Sequence, residues 1–325
     1  MKITVFGAGA VGGHIAARLV MSGVEVNVVA RGAHLNAIRE YGLILRIENK
    51  LVHCKVNATD RPAELGPQDL VIVSVKSTAL PAAVDNIRSL VDMQTRVLFV
   101  MNGLPCWFAD GLAITPTAAL HKLLDPEGNI RDLVPLDRTI WGVVSSGGII
   151  VEPGVIRNTT PKNNVLKLGY PDDREDAFIG DVTAMLAKAG YKANVSADIR
   201  VDIWLKLLIN AGPVMVSAVT ERDNLQTASD PKTRMVSVAC MREIAEVGRK
   251  IGINVEANFE AMTDPARAAP HRSSFLQDLE AGRPLELPST ILAVLELARN
   301  MEVPAPHLTT VAALIAARSA DRAKQ

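Results

Sequence analysis

The segment Gly7-Ala8-Gly9-Ala10-Val11-Gly12 constrains this chain more than any other feature. A GxGxxG string alone is a weak signal. Here it follows a short apolar run, Ile3 to Phe6, and opens an apolar-periodic stretch, Ala10 to Ser22, that stops at Gly23. Strand, glycine turn and helix within about 30 residues form the dinucleotide-binding fingerprint. Gly7 permits the tight turn, Gly9 lets backbone approach a pyrophosphate, and Gly12 lets helix pack on strand. Phosphates would face the unpaired N–H groups of the helix N-terminus. Gly7, Gly9, Ala10, Val11 and Gly12 are therefore expected to bind a cofactor.

Further apolar strands are expected at Val24 to Ala30, Leu70 to Val75 and Val97 to Met101, with helical segments between them. Such alternation argues for a doubly wound parallel sheet. From Ile140 to Leu168 the texture becomes strands joined by Gly and Pro turns, and Pro171-Asp172-Asp173 resembles a linker. Beyond it almost everything reads as helix, including Asp198 to Val219, Lys232 to Ile251 and Ser289 to Met301. The expected class is α/β: an N-terminal Rossmann-type doubly wound parallel sheet over 1–171 and a C-terminal all-helical domain over 172–325.

A length of 325 residues suits two domains. Lys plus Arg equals Asp plus Glu at 35 each, and no like-charge run stands out, which argues against a nucleic-acid partner. Cys54, Cys106 and Cys240 lie far apart, and the six histidines show no paired spacing, so no metal is expected. The apolar N-terminus breaks into the glycine turn without a cleavage pattern, and no apolar run reads as a membrane span. A cytoplasmic protein is the expectation. The apolar helices could supply a homodimer interface, although amphipathic helices are core by default.

The end of the second strand decides between cofactors. An NAD enzyme usually carries Asp or Glu there to hold the ribose hydroxyls. This chain reads Val28-Val29-Ala30-Arg31. A guanidinium in place of an acid can pair with a 2′-phosphate through its fork, which points to NADP(H). The alternative for Arg31 is a solvated surface charge.

In Ile203 to Asn210 (IWLKLLIN), Lys206 sits among apolar residues with Asn210 four positions on, on the same helix face. Desolvation would lower the lysine pKa and suit it to protonate a carbonyl oxygen as hydride arrives at carbon. Taken alone, the spacing fits a snorkelling lysine equally well.

These residues carry a resemblance. The chain resembles the ketopantoate reductase (2-dehydropantoate 2-reductase) family along nearly its whole length. The likeness runs through MKITVFGAGAVGG, the Ser74 to Lys76 SVK, Asn102-Gly103, IWLKLLIN and HRSSFLQDLEAGRPLEL at His271 to Leu287. It implies NADPH-dependent reduction of a small 2-oxo acid, and a place in pantothenate biosynthesis. It implies Lys206 as general acid, with Glu286 and Asn102 beside it and Asn102 also near the nicotinamide. It implies Asn210, Asn224 and Ser274 as substrate contacts, and Lys76 on the cofactor's phosphate side. Read without it, Ser274 could cap a helix, Asn102 could be a turn residue and Glu286 a surface charge.

The chain departs from the family pattern at three positions. Val214 stands where the family usually has Asn, with Pro213 before it as a candidate kink. Pro288 replaces an acidic residue, and Leu292 replaces a small Gly. A drier pocket and a substrate without a hydroxyl near Val214 are expected. The stretch 104–137, with Trp107 and Phe108, reads as a lid or a plain connection. The rival readings are an NAD-linked D-2-hydroxy-acid dehydrogenase on the same fold and a non-catalytic dinucleotide-sensing protein.

Overall fold

The structure is a computed structural model and describes residues 1–322. The apolar run Ile3–Phe6 forms β1, buried at every residue, and Leu70–Val73 forms β6, buried likewise. Continuous burial marks strands covered on both faces, as in a parallel sheet flanked by helices. In chain order the other strands are β2 (Asn27–Val29), β3 (Leu43–Ile47), β4 (Lys50–Cys54), β5 (Asn57–Thr59), β7 (Arg96–Phe99), β8 (Thr139–Ser145), β9 (Gly148–Glu152), β10 (Val155–Asn158), β11 (Val165–Gly169) and β12 (Lys192–Val195). The large sheet runs β12-β11-β8-β7-β6-β1-β2-β5, and a second, four-stranded sheet runs β4-β3-β10-β9. Every pairing in the large sheet is parallel except β11 with β8.

Strand order reverses at β1, which has β6 on one side and β2 on the other. In open sheets of this kind the ligand crevice lies outside the carboxyl ends of the strands at that reversal. Gly7 follows β1, Ala30-Arg31 follows β2, and Ser74 follows β6.

The chain forms two compact units, one of 1–101 with 129–199 and one of 102–128 with the residues from Arg200 onward. The first therefore runs past the expected boundary at 171. The helix Ala177–Lys188 packs against β12, and β12 extends the sheet by pairing with β11. The alternating, half-exposed Lys192–Val195 gave no strong apolar signal. The hairpin β3–β4 and the short β5 also lie where only helix was expected. β4 and β5 are edge strands and β3 lies between β4 and β10; β4 is mostly exposed, and β5 is only three residues long.

Residues 102–128 fold as part of the helical unit. Trp107 and Phe108 are buried, and Phe108 stacks on Trp204 with ring centroids 5.6 Å apart. Arg200 Nε donates to the Phe108 carbonyl at 3.2 Å, and its Nη2 donates to the Asp110 carbonyl at 2.6 Å. Thr117 caps the helix Ala118–Leu124 and donates to Glu296 at 2.7 Å. The expected lid or connection over 104–137 is thus divided, its first part anchored in the helical core.

The expected helix from Asp198 to Val219 is two helices, Ile199–Ala211 and Pro213–Thr220. Gly212 breaks them with φ −100° and ψ −101°, and Pro213 opens the second, where its missing N–H costs nothing. The break lets Gly212 approach the helix Pro231–Lys250: a Cβ there would lie 2.9 Å from Met241 Cγ. The stretch Ile199–Thr220 is long and apolar enough to cross a membrane, contrary to the expectation from sequence, but most of it is buried inside the protein as a core helix pair.

Candidate active site

The glycine turn has a defined and partly open geometry. Gly7 adopts φ +100°, and its N–H and that of Ala8 both donate to the Val29 carbonyl, at 3.0 and 3.1 Å. That pair ties the turn to the end of β2. The helix Ala10–Met21 starts on Gly9, with no side-chain cap on its first N–H groups. A Cβ on Gly9 would meet nothing within 4 Å, whereas one on Gly12 would lie 2.0 Å from Ser74 Oγ and 2.1 Å from the Gly7 carbonyl. Ser74 Oγ in turn donates to Gly7 O at 2.8 Å. The arrangement is open above Gly9 and tightly closed beneath Gly12, so unpaired donors point into free space as an anionic diphosphate requires.

Arg31 is exposed, directly past β2, and caps the N-terminus of the helix Gly32–Tyr41 with its backbone only. It carries no ion pair among the described residues. Its charge stands at the place where a ribose-binding acid would stand, and no acid occupies it. Lys76 is half-buried at the N-cap of the short helix Ser77–Ala79 beyond β6.

The residues expected to transfer the proton, Lys206, Glu286 and Asn102, are all in the helical unit. Lys206 is partly buried on Ile199–Ala211, between Ile203, Leu207 and Leu208, which are fully buried. Burial lowers its pKa to about 8, against the opposing pull of the Glu286 carboxylate, which favours the ammonium. Glu286 is itself buried, at 5% exposure, and Asn102 Nδ2 donates to its Oε2 at 3.3 Å. A surface charge is thereby ruled out for Glu286.

Local backbone geometry brings Asn102 and Glu286 together. Gly103 has φ +83° and lies so close to Ser289 that a Cβ would sit 2.4 Å from Ser289 Oγ. The Leu104 N–H donates to the Ser289 carbonyl at 2.6 Å. Pro288–Leu292 is one turn of π-helix, a local irregularity frequent at functional sites, leading into the helix Ala293–Asn300. Thr290 Oγ1 closes this turn onto the Glu286 carbonyl at 2.6 Å. Nothing in the sequence points to Ser289 and Thr290: Pro288, directly before the helix expected over Ser289 to Met301, suits an ordinary helix start and gives no sign of a π-turn.

The expected substrate-side residues have distinct settings. Asn210 is half-buried one turn beyond Lys206, with its side-chain amide unpaired among the described residues. Ser273, not Ser274, caps the helix Ser274–Glu280, accepting from the Leu276 N–H at 3.2 Å. Ser274 is exposed at the first helical position with its hydroxyl uncommitted. Asn224 opens the helix Asn224–Ser229, and its backbone N–H donates to the His271 carbonyl at 3.0 Å. Val214 is buried in the first turn of Pro213–Thr220. One turn on, Ser217 Oγ meets Ser273 Oγ at 3.4 Å, so the Val214 helix packs beside the Ser274 helix. Among the described residues, no group of His, Cys, Asp and Glu could hold a metal ion.

Comparison with known proteins extends over the whole chain. The family profile described as Ketopantoate reductase PanE/ApbA matches residues 3–172, and that described as Ketopantoate reductase PanE/ApbA C terminal matches 198–319. A 2-dehydropantoate 2-reductase of Mesorhizobium japonicum is 34% identical over 324 residues, covering 99% of each chain. The crystal structure of a Ralstonia solanacearum MolK2 protein assigned as a ketopantoate reductase superposes with a TM-score of 0.89 at 33% identity, covering 99% of this chain and 98% of that one. D-mandelate dehydrogenase with NADH and anilino(oxo)acetate shares the fold, with a TM-score of 0.85 at 22% identity and 99% coverage of both chains.

Proposed function

The chain belongs to the ketopantoate reductase PanE/ApbA family, and from that premise we propose that it reduces a small 2-oxo acid to the 2-hydroxy acid with NADPH, in the manner of a 2-dehydropantoate 2-reductase. Such an activity would serve pantothenate synthesis. The observation that carries the reading is the partly buried Lys206, with a pKa of about 8, beside the buried Glu286.

NADPH, when bound, supplies the hydride that reaches the keto carbon. Gly9, Ala10, Val11 and Gly12 offer backbone N–H groups to its diphosphate, and Arg31 and Lys76 supply cations for its 2′-phosphate side. Lys206 donates a proton from Nζ to the carbonyl oxygen as the carbon–oxygen π electrons move onto it. Its positive charge also stabilises the developing oxyanion. A pKa near 8 leaves the lysine mostly protonated at neutral pH yet willing to release its proton, the balance a general acid needs. Glu286 holds charge beside the ammonium, and Asn102 fixes Glu286 in orientation. The unpaired amide of Asn210 and the hydroxyl of Ser274 suit the polar end of the substrate, with Asn224 as a further contact. Val214 offers no hydrogen bond, which favours an oxo acid with an apolar branch there. The reading calls for no nucleic-acid or membrane partner and suits a cytoplasmic enzyme, monomeric or homodimeric.

A panel of 2-oxo acids, ketopantoate and branched apolar acids among them, assayed with NADPH and with NADH, tests this reading. NADPH oxidation on at least one acid supports it. Turnover only with NADH would favour the D-2-hydroxy-acid dehydrogenase alternative, and no turnover with any acid would favour a dinucleotide sensor.

A further inference from the structure

His34 lies outside the glycine turn in sequence but is bonded to it. Its Nε2 is 2.7 Å from the Ala8 carbonyl, and its Nδ1 is 2.9 Å from the Gly154 N–H. The two partners fix the tautomer. A backbone N–H can only donate, so Nδ1 accepts; a carbonyl can only accept, so Nε2 carries the proton. The anchor behind it is firm: the Gly154 carbonyl accepts from the Ile44 N–H of β3 at 2.9 Å, and Gly154 lies so close to the helix bearing His34 that a Cβ would sit 3.0 Å from Ala37 Cβ.

The Ala8 carbonyl belongs to the same planar peptide as the Gly9 N–H. In a trans peptide these two groups point in opposite directions. Holding the carbonyl toward His34 therefore aims the Gly9 N–H the other way. That N–H has no partner among the described residues, and the space at Gly9 is open. We propose that His34 is a positioning residue for the dinucleotide: through the Ala8 peptide it presets the Gly9 N–H as a phosphate donor before cofactor arrives. The inference rests on the cofactor reading above and adds a residue that the GxGxxG string does not contain.

The test uses three substitutions in the full-length protein, with NADPH affinity measured by titration and kcat measured separately. His34→Phe keeps the ring and removes both bonds. His34→Gln places an amide donor near the Nε2 position, and His34→Asn places an acceptor near Nδ1. The expected result for Phe and Asn is a rise of about three- to tenfold in the NADPH Kd, the scale of one lost hydrogen bond. Saturated kcat and the KM for the oxo acid should stay near wild type, and Gln should restore most of the affinity. If Phe does not fold, the Asn and Gln pair carries the comparison. Wild-type affinity in all variants, with only Tm lowered, would overturn the proposal, as would rescue by Asn and not Gln. Wild-type protein that bound no NADPH would instead overturn the cofactor reading, and this inference with it.

Discussion

Asn102 and Glu286, 184 residues apart in sequence, meet at 3.3 Å through a side-chain hydrogen bond, with Glu286 acting on the charge of Lys206. This contact joins three residues from three separate segments of the helical unit. It makes the lysine's protonation state depend on residues remote from it in the chain, and so open to measurement.

The reduction rate should fall as pH rises through about 8, where Lys206 loses its proton. The sign follows from the role: the protonated form is the donor, so activity sits on the acid side of the pKa. A kcat profile in the reductive direction, flat from pH 6 to 7.5 and declining above 8, is expected. A profile rising through pH 8 to 10 would assign the proton to another group.

Glu286→Gln removes the carboxylate that favours the ammonium while keeping size and hydrogen-bonding capacity. The alkaline limb of the kcat profile should then move to lower pH, and NADPH affinity should change little. Asn102→Ala should lower kcat while shifting that limb less, because Glu286 remains charged. An unmoved limb in Glu286→Gln would separate Glu286 from the lysine.

Arg31→Ala should raise the Kd for NADPH roughly ten- to a hundredfold, as expected for lost hydrogen bonds to a charged phosphate, and leave NADH nearly unchanged. Equal effects on both cofactors would place Arg31 away from the 2′-phosphate.

Much of this was legible in the sequence because the relevant signals are local. The glycine turn, β1 and β6 each declare themselves within a few residues, whereas the Lys206–Asn210 spacing taken alone fits a snorkelling lysine as well. The rest depends on long-range packing. Lys192–Val195 becomes a strand only because β11 offers it an edge. Trp107 and Phe108 join the helical unit through contacts that include Arg200 and Trp204. The distinction between Ser273 and Ser274 turns on which hydroxyl reaches the Leu276 N–H, and two adjacent serines look alike in a string. His34 could have been noticed only as a polar residue three positions past Arg31.

His14 gives a prediction about stability. It is buried on the first helix, with Tyr191 Oη 2.8 Å from Nδ1, while Nε2 accepts from Asn158 at 3.2 Å and Arg18 at 3.3 Å. Burial first, and Arg18 second, lower its pKa from 6.5 to about 4. The unfolded chain therefore binds a proton between pH 6.5 and 4 that the folded chain refuses, so stability is full above 6.5 and declines as pH falls through this window. The loss attributable to His14 is on the order of 3 kcal/mol. Urea unfolding at pH 7 and pH 4.5 should show a smaller acid loss for His14→Gln than for wild type. Equal losses would show that His14 is not the group responsible.

Pre-steady-state mixing of Lys206→Ala with NADPH and an accepted 2-oxo acid tests the central claim most directly, with NADPH binding measured on the same protein. The account predicts near-normal binding and a hydride-transfer rate lower by on the order of 10²- to 10⁴-fold, the usual contribution of a positioned proton donor. A wild-type rate in this variant would contradict it.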